Sequence, residues 1–410
     1  MAFESGKDAM RSVGLNGDGV ITWVPDGETG HRRKWMSQHR SRFDSQDALE
    51  LRPIDLPVGL SAENRGSQHG AGTLLFARKS RAAPASLAFD TFGYAEAALQ
   101  SYEDFVALQS EGVLDAGMRF QVALPTPGGV LNAFIHPDER DAFEPVIEQI
   151  LFDAVAELAR AIPHDQLAFQ WDVAHEFGAL WATPADERAR LMDVIVRRLV
   201  RAGDAIPPSI PLAYHLCYGS AFDVHFAEPD DTKLMADMIR GVLAGIDRSV
   251  ERLHLPVPIE RDDIEYFDAL ADLELGSTAL YLGLVHHEDG LEGARRRIAA
   301  AQRSVPSFGV AAECGTGRTL FDPDALIRLH AEVAQVAAEP PDPTITPPRH
   351  ARPRPPADPV AVNDEIRRVA EHVICVVCGA PIGSPCGDDP SARPHMDRYH
   401  EAMLSMLASD

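Results

Sequence analysis

The stretch "IPLAYHLCYGS" (residues 210–220) runs apolar from Ile210 to Tyr214 and then meets His215, Cys217 and Tyr218, with Gly219 behind them. A short apolar run of this kind reads as a strand buried on both faces, as parallel sheets contain. Chemically useful side chains gathered at its carboxyl end are what a parallel α/β sheet places at its functional rim. His215 and Cys217 are two residues apart, so on a strand both point to the same side.

The same pattern recurs along the chain. Strands are expected at "VITWV" (20–24), "RFQVALP" (119–125), "LAFQWDV" (167–173), "IPLAYHLC" (210–217), "RLHLPVP" (252–258), "ALYLGLV" (279–285) and "FGVAAEC" (308–314). Amphipathic stretches at helical spacing lie between them, among them "FEPVIEQILFDAVAELARAI", "ERARLMDVIVRRLVRAG" and "DTKLMADMIRGVLAGIDRSVERL". The polar clusters "PDGETG", "PTPGG", "DVAHE", "HLCYGS", "PIERDD", "HHEDG" and "ECGTGR" all follow strands. Alternation of this length predicts an α/β fold, a (β/α)8 TIM-type barrel with its site at the strand ends. Seven strands are clear; the eighth would precede "VITWV", as a stub at "MAF", or is missing.

Residues 340–359, "PPDPTITPPRHARPRPPADP", are nearly half proline and read as an extended, semi-rigid linker. This gives three parts: a barrel over 1–338, a Pro-rich linker over 339–359 and a small zinc-knuckle domain over 360–410. Residues 44–90 are polar and weakly periodic, and read as a long excursion over the body, a lid. The chain has 410 residues and a formal net charge of -24. Such a surface repels phosphate backbones, so nucleic acid is not an expected partner. The start "MAFESGKDAMRS" lacks the apolar centre of a signal peptide, and no run reaches membrane-spanning length. A cytoplasmic protein without a membrane association is expected.

Five cysteines divide into two sets. Cys217 and Cys314 each end a strand. In a closed barrel those ends converge, so His215, Cys217 and Cys314 would assemble soft sulfur and imidazole, a donor set suited to zinc. Buried apolar thiols are the bland alternative for this pair. In the tail, "CVVCGAPIGSPCGDDPSARPHMDRYH" supplies Cys375, Cys378 and Cys386 with His395, and His400 as a rival last ligand. That spacing reads as a structural Cys3His zinc site, which would stabilise a segment too small to fold around its own core. Its acidic balance points to a protein partner.

"YHLCYG" followed by "ECGTGR" resembles the zinc motifs of the cobalamin-independent methionine synthase superfamily, whose barrels are also similar to uroporphyrinogen decarboxylase. The epoxyalkane:coenzyme M transferases share the arrangement. The resemblance implies a catalytic zinc held by His215, Cys217 and Cys314, and a cytoplasmic zinc-dependent methyl- or alkyltransferase. Such an enzyme activates a small thiol acceptor as a zinc thiolate and alkylates it from a small alkyl donor. The family's fourth ligand is a Glu after the next strand; here Glu260 is its counterpart, with His254 and Asp262 as rivals. "FQWDVAHE" is similar to the family's Q-x-D-E-P motif, which implies Asp172 in the substrate pocket, though Val173 and Ala174 replace the Glu-Pro. The tail resembles a short "C-x-x-C-G-A" knuckle appended to various bacterial proteins.

Other residues follow from their chemistry. His286 and His287 could move protons to a leaving group, or form ordinary polar surface. Asp26 and Glu28 could hold a substrate ammonium, and Arg32 or Arg33 a carboxylate or sulfonate, or they form a turn around Pro-Asp-Gly followed by a solvated basic run. Tyr218 would line the pocket or simply pack. Two other functions stay open at this stage. One is a decarboxylase or lyase on the same barrel; the other is a non-enzymatic, metabolite-sensing regulator that contacts its partner through the knuckle.

Overall fold

A computed structural model describes residues 3–54, 74–218, 220–221, 224–225, 230–319 and 321–351. Its centre is a seven-stranded sheet whose neighbours are all parallel. The strands are β1 (Trp23–Val24), β2 (Arg119–Pro125), β3 (Leu167–Val173), β4 (Leu212–Leu216), β5 (Arg252–Pro256), β6 (Ala279–Val285) and β7 (Gly309–Ala312), in that order across the sheet. The helices that cover it include α1 (Gly6–Asn16), α2 (Tyr94–Ser110), α3 (Pro127–Phe134), α4 (Arg140–Ala161), α5 (His175–Ala182), α6 (Ala185–Asp204), α7 (Lys233–Gly245), α8 (Gly290–Ala301) and α9 (Pro323–Ala337). Each of the seven expected strands is present, three with the expected bounds and four shorter. The amphipathic run from Asp231 is helical only to Gly245, because Arg252 already belongs to β5.

The sheet is curled. On a flat sheet β1 and β5, four strand steps apart, would be separated by about 19 Å. Instead the Arg252 guanidinium on β5 lies 3.8 Å from the centre of the Trp23 ring on β1, and its Nη2 donates to Thr22 Oγ1 at 2.6 Å. Trp23, Ala168 and Ala213 form a small buried cluster of their own, separate from the main core between sheet and helices. Small side chains on β3 and β4 leave room inside the curl for Trp23 and Arg252.

The sheet stays open between β1 and β7, its two edges. Among the described residues the expected eighth strand is absent; Phe3 is not in a strand, and residues 1–2 lie outside the description. Helices flank this seam. Ser12 on α1 hydrogen-bonds Asp324 on α9, Gln335 Nε2 donates to Asp18 at 2.7 Å, and Arg328 Nη1 to Asn16 Oδ1 at 2.9 Å. The fold is therefore an α/β curled sheet of seven strands.

The excursion at 44–90 is more structured than its weak periodicity suggests. Leu49–Pro53 pairs antiparallel with Leu74–Arg78, while residues 55–73 lie outside the description. Phe43 stacks on Phe76 and Phe134 and meets Phe89 edge-on, which seats the hairpin on the body. Arg78 also donates to the buried Glu139 at 2.6 Å. Part of the Pro-rich segment is also tied to the body. Pro348 O and Arg349 O accept from Ile264 N and Glu265 N, each at 3.0 Å, and His350 pairs with Glu265 at 2.7 Å. Cys375, Cys378, Cys386, His395 and His400 lie outside the described residues.

The strand-end loops are fastened by buried polar contacts. Thr126 caps α3 by accepting from Gly129 N at 2.8 Å, and its hydroxyl donates to Glu176 at the start of α5. Gly128 leaves the space the carboxyl needs, since a Cβ there would stand 2.8 Å from Glu176 Oε1. Burial pushes the Glu176 carboxyl up to about 7, against the pull of Thr126 and Arg198. A raised carboxyl holds its proton in the folded state after the unfolded chain has lost it. Its contribution to stability is therefore lost as pH rises from the unfolded value through about 7. Glu176→Gln should leave stability near neutral at pH 5 and raise it at pH 8, by roughly 2–3 kcal/mol relative to the parent. Chemical denaturation at both pH values checks this, and a pH-independent difference would contradict it.

Candidate metal centre

Strand parity decides which side chains face the inside of the curl. Trp171 Nε1 donates to Ala202 O and Tyr214 OH to Leu199 O, both on α6, so these rings face the helices. Their neighbours Asp172 and His215 therefore face inward. Asp172 is in register with His215, and His215 with His254, while His254 is in register with Tyr281. Four adjacent strands thus carry a level row of Asp172, His215, His254 and Tyr281. Cys217 N donates to Val173 O at 2.9 Å, which continues the ladder and holds Cys217 one level above His215.

Cys314 reaches the same place from the far edge. The β6–β7 register shifts between Leu282 and Val285, an irregularity of the kind that re-aims a strand end. Gly283 lets the end of β7 come close, because a Cβ there would meet Ala312 O and Glu313 Cα at 2.7 Å and His254 Nε2 at 3.0 Å. The result brings His215, Cys217 and Cys314 together, with one ligand atom of each within 4.8 Å of the others. Cys217 Sγ and Cys314 Sγ are 3.4 Å apart. His215 and Cys217 are buried, whereas Cys314 is half-buried. His254 stacks on His215 at 4.3 Å between ring centres and 23° between planes, and its Nε2 lies 2.9 Å from Ala312 O. Desolvation pushes His254 well below the usual imidazole range, and the neighbouring His215 pushes the same way.

Cys314 lines a small, partly open cleft together with His286, His287, Glu288, Glu313, Thr316 and neighbours. His286 is buried there, with Nε2 2.7 Å from Val257 O and Nδ1 3.7 Å from Glu313 Oε2. His287 packs on Phe321 and pairs with Glu288 at 3.2 Å. Glu313, beside Cys314 in the sequence, was not singled out from the motif; an acidic residue directly before a strand-end cysteine was the signal.

Other expected site residues are placed differently. Arg261 N donates to Pro258 O, and Glu260 in this tight turn is exposed; Glu260, the buried Asp262 and the half-buried His254 all lie outside the His215–Cys217–Cys314 group. Asp26 and Arg32, read as holding opposite charges of a substrate, pair with each other at 2.6 Å, and Asp26 also accepts from Ser101 and from Glu28 N. A carboxylate this buried needs such partners. Arg33 donates to Phe3 O. Tyr218 is buried, donates to Met235 Sδ at 3.2 Å and meets Phe177 edge-on, so it packs. Asp172 accepts from Gln170 Nε2 at 2.9 Å. Asp172 and Glu28 both help to push the Tyr94 hydroxyl upward, after desolvation, so both carboxylates stand near Tyr94. Tyr94 OH is also 3.0 Å from His39 Nε2, and neither residue stands out in the sequence.

No family model matches the chain, and no curated protein matches it in sequence. Among solved structures it is similar to a B12-independent methionine synthase from Shewanella sp. W3-18-1 in complex with selenomethionine, with a TM-score of 0.48 and 15% identity over 81% of this chain and 86% of that one. It is also similar to a methyltransferase from Methanosarcina mazei, with a TM-score of 0.40 and 10% identity over 80% of this chain and 91% of that one.

The close approach at Gly283 is open to test. Gly283→Ala should force β7 away from β6 and cost about 1–3 kcal/mol, the usual penalty for overpacking a tight contact. Denaturant unfolding measures it, and an unchanged midpoint would contradict the packing described.

Proposed function

We propose that the chain is a zinc-dependent transferase that binds a small thiol at the strand ends of the curled sheet and alkylates it. The observation that carries this reading is the meeting of His215, Cys217 and Cys314, although Cys314 is 97 residues from Cys217. The donor set fits zinc. Two thiols and an imidazole are its preferred ligands, and sulfurs on a tetrahedral ion with bonds of about 2.3 Å are about 3.8 Å apart. The observed 3.4 Å needs only a small adjustment to reach that value. Zinc at this place would lower the pKa of a bound substrate thiol, so that sulfur is nucleophilic at neutral pH.

The chain's own residues supply the rest. His215 and Cys217 are fixed by the β3–β4–β5 ladder, and His254 holds the plane of the His215 ring by stacking. The half-buried Cys314 faces the cleft, so substrate sulfur would enter from that side. His286 and Glu313 line the same cleft and are suited to transfer a proton to a group that departs there. Asp172 is held by Gln170 on the inward row and is suited to orient the polar end of the substrate. Glu260 is set aside as a ligand in favour of an open fourth position. A second, structural zinc in the tail through Cys375, Cys378, Cys386 and His395 remains part of the proposal, with a protein contact as its role.

Elemental analysis should find two zinc ions in the full chain and one in Cys314→Ser. Serine is a poor zinc ligand, so thiol alkylation by this variant should fall at least about a thousandfold, or roughly 4 kcal/mol of barrier. Its circular dichroism should match the parent's, since strand and helix packing carry the fold. Two zincs and full turnover in Cys314→Ser would overturn the assignment.

A further inference from the structure

The two sulfurs at the strand ends permit a second chemistry. Cys217 Sγ and Cys314 Sγ are 3.4 Å apart, and a disulfide needs about 2.05 Å, a closure within the reach of side-chain torsions. The two thiols differ in access. Cys217 is 2% exposed and sits at the end of the ladder, whereas Cys314 is half-buried and lines the cleft. A small oxidant entering the cleft therefore meets Cys314 first, with Cys217 directly behind it. Accessible thiol and adjacent resolving thiol is the arrangement that converts oxidation into a reversible bond.

We propose that Cys217 and Cys314 are a peroxide-modified pair, forming an intramolecular disulfide when the site holds no metal. The proposal rests on the transferase reading only for its consequence, since the disulfide and zinc compete for the same sulfurs. The Cys314 thiolate attacks hydrogen peroxide, the O–O bond breaks, and hydroxide leaves and takes up a proton as water. Cys314 is then a sulfenic acid. The Cys217 sulfur attacks it, the S–O bond breaks, and a second water leaves with the Cys217 proton. Two thiols have lost two electrons and two protons, and one peroxide has become two waters. A dithiol reductant reverses the step and restores both ligands. Cys314 reached from the cleft is thus both an entry point for substrate and the point at which oxidation switches the site off.

The test uses the full chain, stripped of metal by chelation and treated with stoichiometric hydrogen peroxide. Remaining thiols are alkylated and the digest is mapped by mass spectrometry. The expected product is a peptide pair joined through Cys217 and Cys314, about 2 Da lighter than its two thiol components, which disappears on treatment with dithiothreitol. Cys217→Ser should stop at a sulfenic acid on Cys314, trapped by dimedone. In the untreated, metal-free chain iodoacetamide should label Cys314 at least about tenfold faster than Cys217. Sulfinic acid at Cys314 of the parent chain without the joined peptide would overturn the proposal, and so would joining of Cys314 to a tail cysteine. Equal labelling rates would overturn the assigned order. If Cys217→Ser fails to fold by circular dichroism, the parent's peptide map decides. Zinc content of the untreated chain is read in parallel. No zinc bound by the body would remove the transferase reading and leave the disulfide to stand or fall on the peptide map.

Discussion

Side chains alternate along a strand, and residues in register on parallel strands share a face. Every part of the site depends on that period of two. With Trp171 and Tyr214 anchored to α6, Asp172 and His215 have to point inward, and His254 and Tyr281 follow by register. A slip of one residue in β4 would turn His215 and Cys217 toward the helices and bury two donors in an apolar layer. The curl then matters because it brings the far edge back. Arg252 held between Trp23 at 3.8 Å and Tyr281 at 5.0 Å spans the interior, and the end of β7 comes in over Gly283 to present Cys314.

The site combines a rigid half with an accessible one. His215 and Cys217 belong to the ladder and are shielded from solvent; Cys314 belongs to a loop and borders the cleft. This division suits a metal held firmly from one side and approached by substrate from the other. It also makes the two sulfurs chemically unequal, which is what reversible oxidation exploits. The acid–base side chains lie on the accessible half: His286 and Glu313 come from the loops after β6 and β7, next to Cys314.

Much of this was legible in the sequence, for physical reasons. Apolar runs that are buried on both faces announce themselves, so "LAFQWDV" and "ALYLGLV" are strands with the expected bounds. The convergence of His215, Cys217 and Cys314 follows from all three standing at strand ends. Other features were hidden because long-range packing sets them. "LELRP" and "LLFAR" are separated by a polar, Gly/Ser-punctuated stretch that reads as loop, and they pair with each other beside Phe43. Among the described residues the place of an eighth strand is flanked by α1 and α9, where the sequence offered only a stub or no strand. Asp26 and Arg32 looked like substrate ligands because a charge after a strand often is one, yet each is the other's counter-ion. Glu260 was expected from its place in the chain, and in the turn at Pro258–Arg261 it is exposed and outside the His215–Cys217–Cys314 group.

The central claim is that the body binds zinc through two sulfurs and one imidazole. X-ray absorption at the zinc edge tests it most directly, on the full chain carrying Cys375→Ser, Cys378→Ser and Cys386→Ser, so that only the body reports. The account predicts a bound zinc with two sulfur neighbours at about 2.3 Å and nitrogen or oxygen neighbours at about 2.0–2.1 Å. An absence of zinc, or a shell of nitrogen and oxygen alone, would contradict it.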